Sequence, residues 1–150
     1  MNGTGLLNLV LVLISAALAQ IPTGCVKIRS VHSPKFVLKY KDAEEKIDNC
    51  RWNILPDGAY HKIKLETMDE ELYESKKSTK YGNVFTYNPK SEKKDKGKAA
   101  QWIVTKAWGD KFHIKNVKYD HCMMAKGGTV LIGDQGCDGE KYEWLLEACG

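Results

Sequence analysis

The chain has 150 residues, and its 23 Lys and Arg against 19 Asp and Glu give a formal net charge of +4 at pH 7. A charge of this size aids solubility and slightly favours anionic partners, but it identifies none. The length fits one domain with its own core, so neither a structural metal nor a partner is required for folding.

The N-terminus has the features of a secretory signal peptide. Residues 6–17 form an apolar run broken only by Asn8 and Ser15, and the run is too short to span a bilayer. It ends in Ala17-Leu18-Ala19, which places small residues where signal peptidase requires them. We therefore predict a signal peptide over residues 1–19, a single exported domain over residues 20–150, and no membrane span.

The first predicted strand follows at residues 26–31, where apolar and charged residues alternate as in a half-buried β-strand. A polar turn and a second apolar stretch, residues 36–38, come next. A later strand carries Trp52, with Arg51 before it and Ile54 and Leu55 after it, and it ends at the turn signal Asp57-Gly58.

The same order of features returns twice along the chain. The second occurrence has an alternating run at 61–65, an apolar pair at 72–73, a strand with Gln101-Trp102 and a turn at 109–110. The third has an alternating run at 112–117, an apolar stretch at 122–124 and a strand with Glu143-Trp144. Three tryptophans falling by chance into the strands of a sandwich would explain less of this shared order.

The pattern predicts an all-β domain of three pseudo-repeats, about residues 24–58, 59–110 and 111–150. Twelve short strands in three similar units are the plan of the β-trefoil, in which six strands close a barrel and three hairpins cap it. One tryptophan from each unit is then expected to meet the others in the core.

The Gln101-Trp102 pair and its counterparts at Trp52 and Trp144 resemble the Q-x-W repeats of ricin-type β-trefoil lectins, although the spacing here is Q-W. A signal peptide followed by a basic trefoil containing Cys and Trp is also similar to the divergent salivary proteins of Culex mosquitoes. These resemblances imply secretion into saliva and carbohydrate binding, with host extracellular or cell-surface molecules as further partners. We expect a monomer.

Five cysteines lie in residues 20–150, and their spacing does not suit zinc, so an exported chain should pair most of them. A trefoil brings its first and last strands together, which predicts a Cys25–Cys149 disulfide. The resemblance to ricin-type lectins implies a second disulfide, Cys122–Cys137, and leaves Cys50 over. No metal or other cofactor is expected.

The sequence contains no G-x-S-x-G elbow, no papain-like cysteine motif, no phosphate-binding loop and no metalloprotease motif. A glycosidase needs only two carboxylates, which leaves that class open, but no Asp or Glu has the apolar sequence setting that would suggest a raised pKa. We therefore predict a binding protein and no enzyme.

For a sugar site, the ricin-type resemblance implies an acidic residue after the second apolar stretch, an aromatic residue about a dozen positions later and a polar residue before Trp. The second unit matches with Glu74, Tyr87, Asn88 and Gln101. The acidic place falls at Lys39 in the first unit and at Met124 in the third.

A second hypothesis rests on charge. Between Lys76 and Lys98 there are eight lysines against Glu92 and Asp95, a local charge of +6. Five of the lysines form a predicted patch for sulfated glycosaminoglycan or another anionic surface: Lys90, Lys93, Lys94, Lys96 and Lys98. Nucleic acid is not expected as a partner of an exported protein, because the lysine-rich stretch 89–98 contains no aromatic residues between its basic ones.

A third hypothesis is inhibition of a protease, as in inhibitor trefoils of the Kunitz soybean type. A single protruding loop over residues 76–98, rich in lysine, would then be presented to a trypsin-like enzyme. No disulfide stiffens that loop, and stiffness is what gives such inhibitors their affinity.

Overall fold

A computed structural model of the chain describes residues 21–40, 49–91 and 95–150. Within these ranges there are ten β-strands, two short 3₁₀ helices and no α-helix. The strands are β1 (Cys25–Ser30), β2 (Trp52–Asp57), β3 (Tyr60–Leu65), β4 (Glu71–Lys76), β5 (Tyr81–Tyr87), β6 (Trp102–Trp108), β7 (Lys111–Asn116), β8 (Cys122–Lys126), β9 (Val130–Asp134) and β10 (Trp144–Ala148). The 3₁₀ helices span Gly97–Ala100 and Glu140–Tyr142. The predicted signal peptide lies outside the described residues.

Six of the strands close into an antiparallel barrel in the order β1, β2, β3, β6, β7, β10 and back to β1. Closure leaves no unpaired barrel edge for another chain to join. Among the described helices, none is long and apolar enough to cross a membrane.

The remaining four strands form two hairpins, β4–β5 and β8–β9, which are joined to each other through β5 and β9. At the matching place in the first unit, the residues that the structure describes form one isolated bridge, between Arg29 and Val37. The turns after β2 and after β6 fall at the predicted unit boundaries. The prediction of a β-trefoil with three pseudo-repeats is confirmed.

The strands form because apolar residues recur at every second position. In β1, Val26, Ile28 and Ser30 face the core and are buried, while Lys27 and Arg29 alternate with them and stay partly exposed. The equivalent strands β3 and β7 bury Ile63 and Ile114 at the place of Ile28. A period of two is what a strand with one buried face requires.

The three repeat tryptophans are fully buried, each with 0% of its surface exposed. Each indole N–H donates to a backbone carbonyl of the second strand segment in its own unit: Trp52 to Leu38 at 2.9 Å, Trp102 to Leu72 at 3.1 Å and Trp144 to Met123 at 2.9 Å. The three indoles are therefore interior counterparts, as the repeat pattern predicts. The same bond in each unit ties the barrel to the strands that cover it.

Two disulfides are present, Cys25–Cys149 and Cys122–Cys137. The first joins the beginning of β1 to the residue after β10. These two strands pair along their length. The second ties the start of β8 to the segment after β9. Cys50 is in neither disulfide and is half-buried.

The prediction of one protruding loop over residues 76–98 is wrong. Residues Tyr81–Tyr87 form β5, which pairs with β4 over six positions and with β9 over three. Val84 and Tyr87 in this strand are buried, because the same alternation that builds the barrel strands also occurs here. The geometry of an inhibitor loop is therefore not formed by this segment.

Candidate functional site

An open cleft of about 370 Å³ lies beside the second unit. Small-molecule sites in proteins begin at roughly this volume. Three segments supply its walls: β4, the stretch that leads into the first 3₁₀ helix, and the turn between β7 and β8. The lining residues are Tyr73, Glu74, Ser75, Lys76, Asp95, Lys96, Ala99, Lys118 and Tyr119.

Two lysine ammonium groups at this cleft lie over tyrosine rings. The Nζ atom of Lys96 lies 4.8 Å from the centre of the Tyr73 ring, and that of Lys118 lies 5.4 Å from the centre of the Tyr119 ring. Lys76 is exposed on the same wall. The quadrupole of an aromatic ring attracts a cation over its face, so the ammonium groups of Lys96 and Lys118 have defined positions at the cleft.

The acidic groups of the cleft differ from each other. Asp95 is exposed, and its Oδ1 accepts the backbone N–H of Gly97 at 2.9 Å. Glu74 is buried, with 1% of its surface exposed. Only Asp95 therefore presents an accessible carboxylate, against the three lysines, and the cleft is net positive.

Glu74 pairs with a histidine beneath the cleft. Nδ1 of His121 lies 2.5 Å from Oε2 of Glu74, and Nε2 of His121 lies 3.1 Å from the backbone carbonyl of Thr79. The ring of Tyr119, which lines the cleft, stacks on the His121 ring with centroids 6.1 Å apart. The buried pair thus supports one wall of the cleft from below.

Both neighbours of the His121 ring are oxygen acceptors, which fixes the protons of the pair. One proton must lie on Nε2 to be donated to Thr79, and another must lie between Nδ1 and Oε2. With both protons present the pair is neutral overall. Loss of the shared proton leaves a lone pair facing an oxygen inside the protein, and burial correspondingly raises the pKa of Glu74.

Two glycines make room for this carboxylate. Gly82 of β5 pairs with Gly133 of β9, and the Glu74 side chain lies against both. A Cβ atom at Gly82 would come within 2.6 Å of Glu74 Oε2, and one at Gly133 would overlap Glu74 Oε1. The absence of side chains at these positions is therefore what lets the carboxylate fit between the two hairpins.

The residues predicted for a sugar site are placed in this structure as follows. Glu74 lies under the cleft with His121. Tyr87 is buried, and its hydroxyl donates to Glu71 Oε2 at 3.1 Å. Burial, with the Glu71 carboxylate beside the hydroxyl, raises the pKa of Tyr87 well above its ordinary value.

The other two predicted sugar residues have structural partners. Asn88 Oδ1 accepts the backbone N–H groups of Lys90 and Ser91 at 2.9 and 3.2 Å, which closes a turn. Gln101 donates from Nε2 to Asp57 at 2.8 Å and so holds the β2–β3 turn. Of the four predicted residues, only Glu74 borders the cleft.

The predicted basic patch is divided. Lys96 lines the cleft. Lys90 forms an ion pair with Asp69 at 3.2 Å, while its side chain stays mostly exposed. Lys98 is exposed in the first 3₁₀ helix. Lys93 and Lys94 lie outside the described residues.

Seven of the nine lining residues were not predicted as site residues from the sequence, and the basic and aromatic ones among them are Tyr73, Lys76, Lys118 and Tyr119. The adjacent Lys118-Tyr119 in a turn was an available signal, since it places a cation beside an aromatic ring. Its convergence with Tyr73 and Lys96 depends on the contact between two units, which local sequence does not encode.

Among solved structures, the chain is similar to a salivary protein from Culex quinquefasciatus that belongs to the Cysteine and Tryptophan-Rich (CWRC) family. The two chains are 33% identical, the match covers 87% of this chain and 97% of the other, and the TM-score is 0.71. No protein-family model and no curated protein sequence matches the chain.

Two further structures share the fold at lower identity. A second Culex quinquefasciatus salivary protein of the CWRC family is 22% identical, with 87% of this chain and 96% of that chain covered and a TM-score of 0.68. The protein SeviL, solved with the asialo-GM1 saccharide bound, is 13% identical, with 86% and 100% covered and a TM-score of 0.64.

Proposed function

This chain belongs to the Cysteine and Tryptophan-Rich (CWRC) family, and on that premise we propose that it is a secreted salivary protein that binds acidic saccharides without transforming them. One observation carries the proposal: three lysines and two tyrosines from separate segments converge on one open cleft. The two disulfides support passage through an oxidising export route.

The chemistry of the cleft suits a sugar that bears sulfate or carboxylate groups. Ammonium groups of Lys76, Lys96 and Lys118 are donors for anionic oxygens. The Tyr73 and Tyr119 rings offer apolar surface to the C–H groups of a sugar ring, and Asp95 can accept a hydroxyl proton. A polar ligand held by a few convergent groups on an aromatic lining is the usual composition of a small-molecule site.

The pair of Glu74 and His121 supports binding over catalysis. A general acid or base must reach the reacting atom, whereas these two side chains are buried and bonded to each other and to the Thr79 carbonyl. Their role in this proposal is to hold the wall that carries Tyr119.

Removal of two cleft charges tests the function. The double substitution Lys96→Ala/Lys118→Ala is expected to weaken binding of a heparin hexasaccharide roughly tenfold or more, because each lysine contributes a charge-assisted contact to the anion. Isothermal titration calorimetry at physiological salt measures the dissociation constant. A glycan array then shows which acidic groups are preferred.

A matched control removes the same amount of charge elsewhere. Lys35→Ala/Lys39→Ala takes two exposed lysines from the first unit, away from the cleft. We expect this variant to keep the wild-type affinity within about twofold, since distant charges are screened at this salt concentration. Equal losses in both variants would mean that net charge and not the cleft governs binding.

A further inference from the structure

The fourth tryptophan differs from the other three in its surroundings. Trp108 ends β6 and has 61% of its surface exposed, whereas the three core tryptophans have none. Tryptophan is the largest apolar side chain, and leaving it in water contributes little to the stability of the core. Its exposure therefore calls for a reason other than packing.

The indole of Trp108 is nevertheless held in a fixed orientation. Its N–H donates to Glu143, with distances of 2.6 Å to Oε1 and 3.2 Å to Oε2, and Glu143 is itself 5% exposed. The Nζ atom of Lys111 lies over the ring, 3.8 Å from its centre. A side chain that is already ordered loses little conformational entropy when a ligand binds to it.

The pseudo-symmetry of the fold supplies an internal comparison. At the junction of the first and second units, Gln101, the residue before Trp102, bonds to Asp57 at the preceding turn. At the junction of the second and third units, Glu143, the residue before Trp144, bonds to Trp108 at the preceding turn. A small polar side chain is enough to hold the first turn, so the aromatic surface at the second turn exceeds what this bond needs.

We propose that Trp108, oriented by Glu143 and Lys111, is a stacking platform for a neutral hexopyranose and forms a second binding site, separate from the cleft. Lys111 covers one face of the indole, so the sugar stacks its C–H face on the opposite one. The Lys111 ammonium, which also pairs with Asp110 at 3.3 Å, lies at the edge of this platform and can donate a further hydrogen bond to a sugar hydroxyl. This inference rests on the proposed function only for the general class of ligand.

The size of the platform favours a sugar over a protein partner. One aromatic side chain contributes at most about 250 Å², whereas a stable protein interface buries roughly 800 Å² on each side. A single indole is well matched to one pyranose ring. Weak binding at Trp108 can still matter because the cleft is a second binding site on the same molecule. Two sites together raise the avidity for a branched or dense glycan.

Two substitutions separate stacking from the structural bond. Trp108→Phe keeps an aromatic face but loses the N–H donor to Glu143, and Trp108→Gln keeps an N–H donor but loses the aromatic face. For a sugar platform, Trp108→Phe retains binding within about threefold, while Trp108→Gln loses it roughly tenfold or more. If the residue only holds the turn, both variants bind like the wild type, or the glutamine variant binds better than the phenylalanine one, and either result overturns the proposal.

Nuclear magnetic resonance of the ¹⁵N-labelled protein measures this binding directly. The probes are methyl β-galactopyranoside and methyl β-glucopyranoside, and the dispersion of the backbone amide signals shows that each variant is folded. We expect the indole N–H signal of Trp108 to shift with at least one probe while the signals of the three buried indoles stay in place. No shift of the Trp108 signal with either probe up to about 50 mM, the upper part of the weak range, overturns the proposal.

The cleft variant separates this site from the first. In Lys96→Ala/Lys118→Ala the Trp108 signal is expected to respond to the neutral sugar as in the wild type. If the neutral sugar binds at Trp108 but the acidic saccharide does not bind at the cleft, only the proposed function is contradicted. If the acidic saccharide binds at the cleft but the neutral sugar does not bind at Trp108, only this inference is contradicted.

Discussion

Replacing Trp102 with alanine is expected to lower the free energy of unfolding by about 3–5 kcal/mol, the usual cost of truncating a large buried aromatic side chain. Trp102 is fully buried at the centre of the fold, and its indole N–H satisfies the buried carbonyl of Leu72. Alanine removes the packed ring and leaves that carbonyl without its donor. Urea denaturation followed by circular dichroism measures the loss.

The three units offer replicates of the same experiment. Trp52→Ala and Trp144→Ala are expected to cost amounts within this same range, because each indole is equally buried and makes the equivalent bond. Trp108→Ala is the matched control. It should cost about 1–3 kcal/mol, the penalty for leaving the buried Glu143 without its donor. A core substitution that costs less than the control would contradict the threefold arrangement of the core.

The second large effect is expected from the buried pair under the cleft. His121→Ala should lower the free energy of unfolding by about 3–5 kcal/mol at neutral pH, because it leaves the Glu74 carboxylate buried without its partner. Oε1 of Glu74 already has no hydrogen-bond partner among the described residues, so little else can compensate. His32→Ala, at an exposed histidine, serves as the control and should stay within about 0.5 kcal/mol of wild type.

The pair of Glu74 and His121 is also expected to make the free energy of unfolding depend on pH. Burial raises the pKa of Glu74 above its ordinary 4.5, although the hydrogen bond and charge of His121 act against the rise. A carboxyl with a raised folded-state pKa contributes stability that is fully present below its unfolded pKa and is lost as pH rises through the folded one. We therefore expect this contribution to be present well below pH 4.5 and to decrease as the pH rises above that value.

Glu74→Gln isolates this dependence from that of the other carboxylates. The amide cannot ionise. The free energy of unfolding of the variant minus that of the wild type should therefore become more positive as pH rises from 4 to 7. Denaturation midpoints at several pH values measure the difference. A difference that does not change with pH, or that changes in the opposite direction, would show that the pKa of Glu74 is not raised in the folded protein. The penalty of His121→Ala should likewise shrink where Glu74 is protonated.

The architecture was predictable because it repeats. Alternation in residues 26–31, 61–65 and 112–117 predicts half-buried strands, and the recurrence of Trp52, Trp102 and Trp144 predicts three units around one core. These are local signals that the fold uses three times, so each occurrence supports the others. The second strand of the first unit was harder to predict, since the described residues there form only a bridge between Val37 and Arg29.

The site was predictable only in its region. The resemblance to ricin-type lectins directs attention to the second unit, and the cleft lies there. The resemblance misplaces the residues that would face a ligand. The Glu74 carboxylate fits between Gly82 and Gly133 and bonds to His121, which is 47 residues away in the sequence. Gln101 likewise faces Asp57 across a junction of units. Pairings between distant units depend on the closed barrel and cannot be seen in any local stretch of sequence.

The bond between Cys25 and Cys149 has a consequence for the response of the protein to proteases. It turns nearly the whole folded chain into a covalent ring, because 124 positions separate the two cysteines. A protease that cuts the backbone once between them opens the ring but releases no fragment. The nicked molecule keeps its mass on a non-reducing gel, and its strands remain tethered for as long as the disulfide is oxidised.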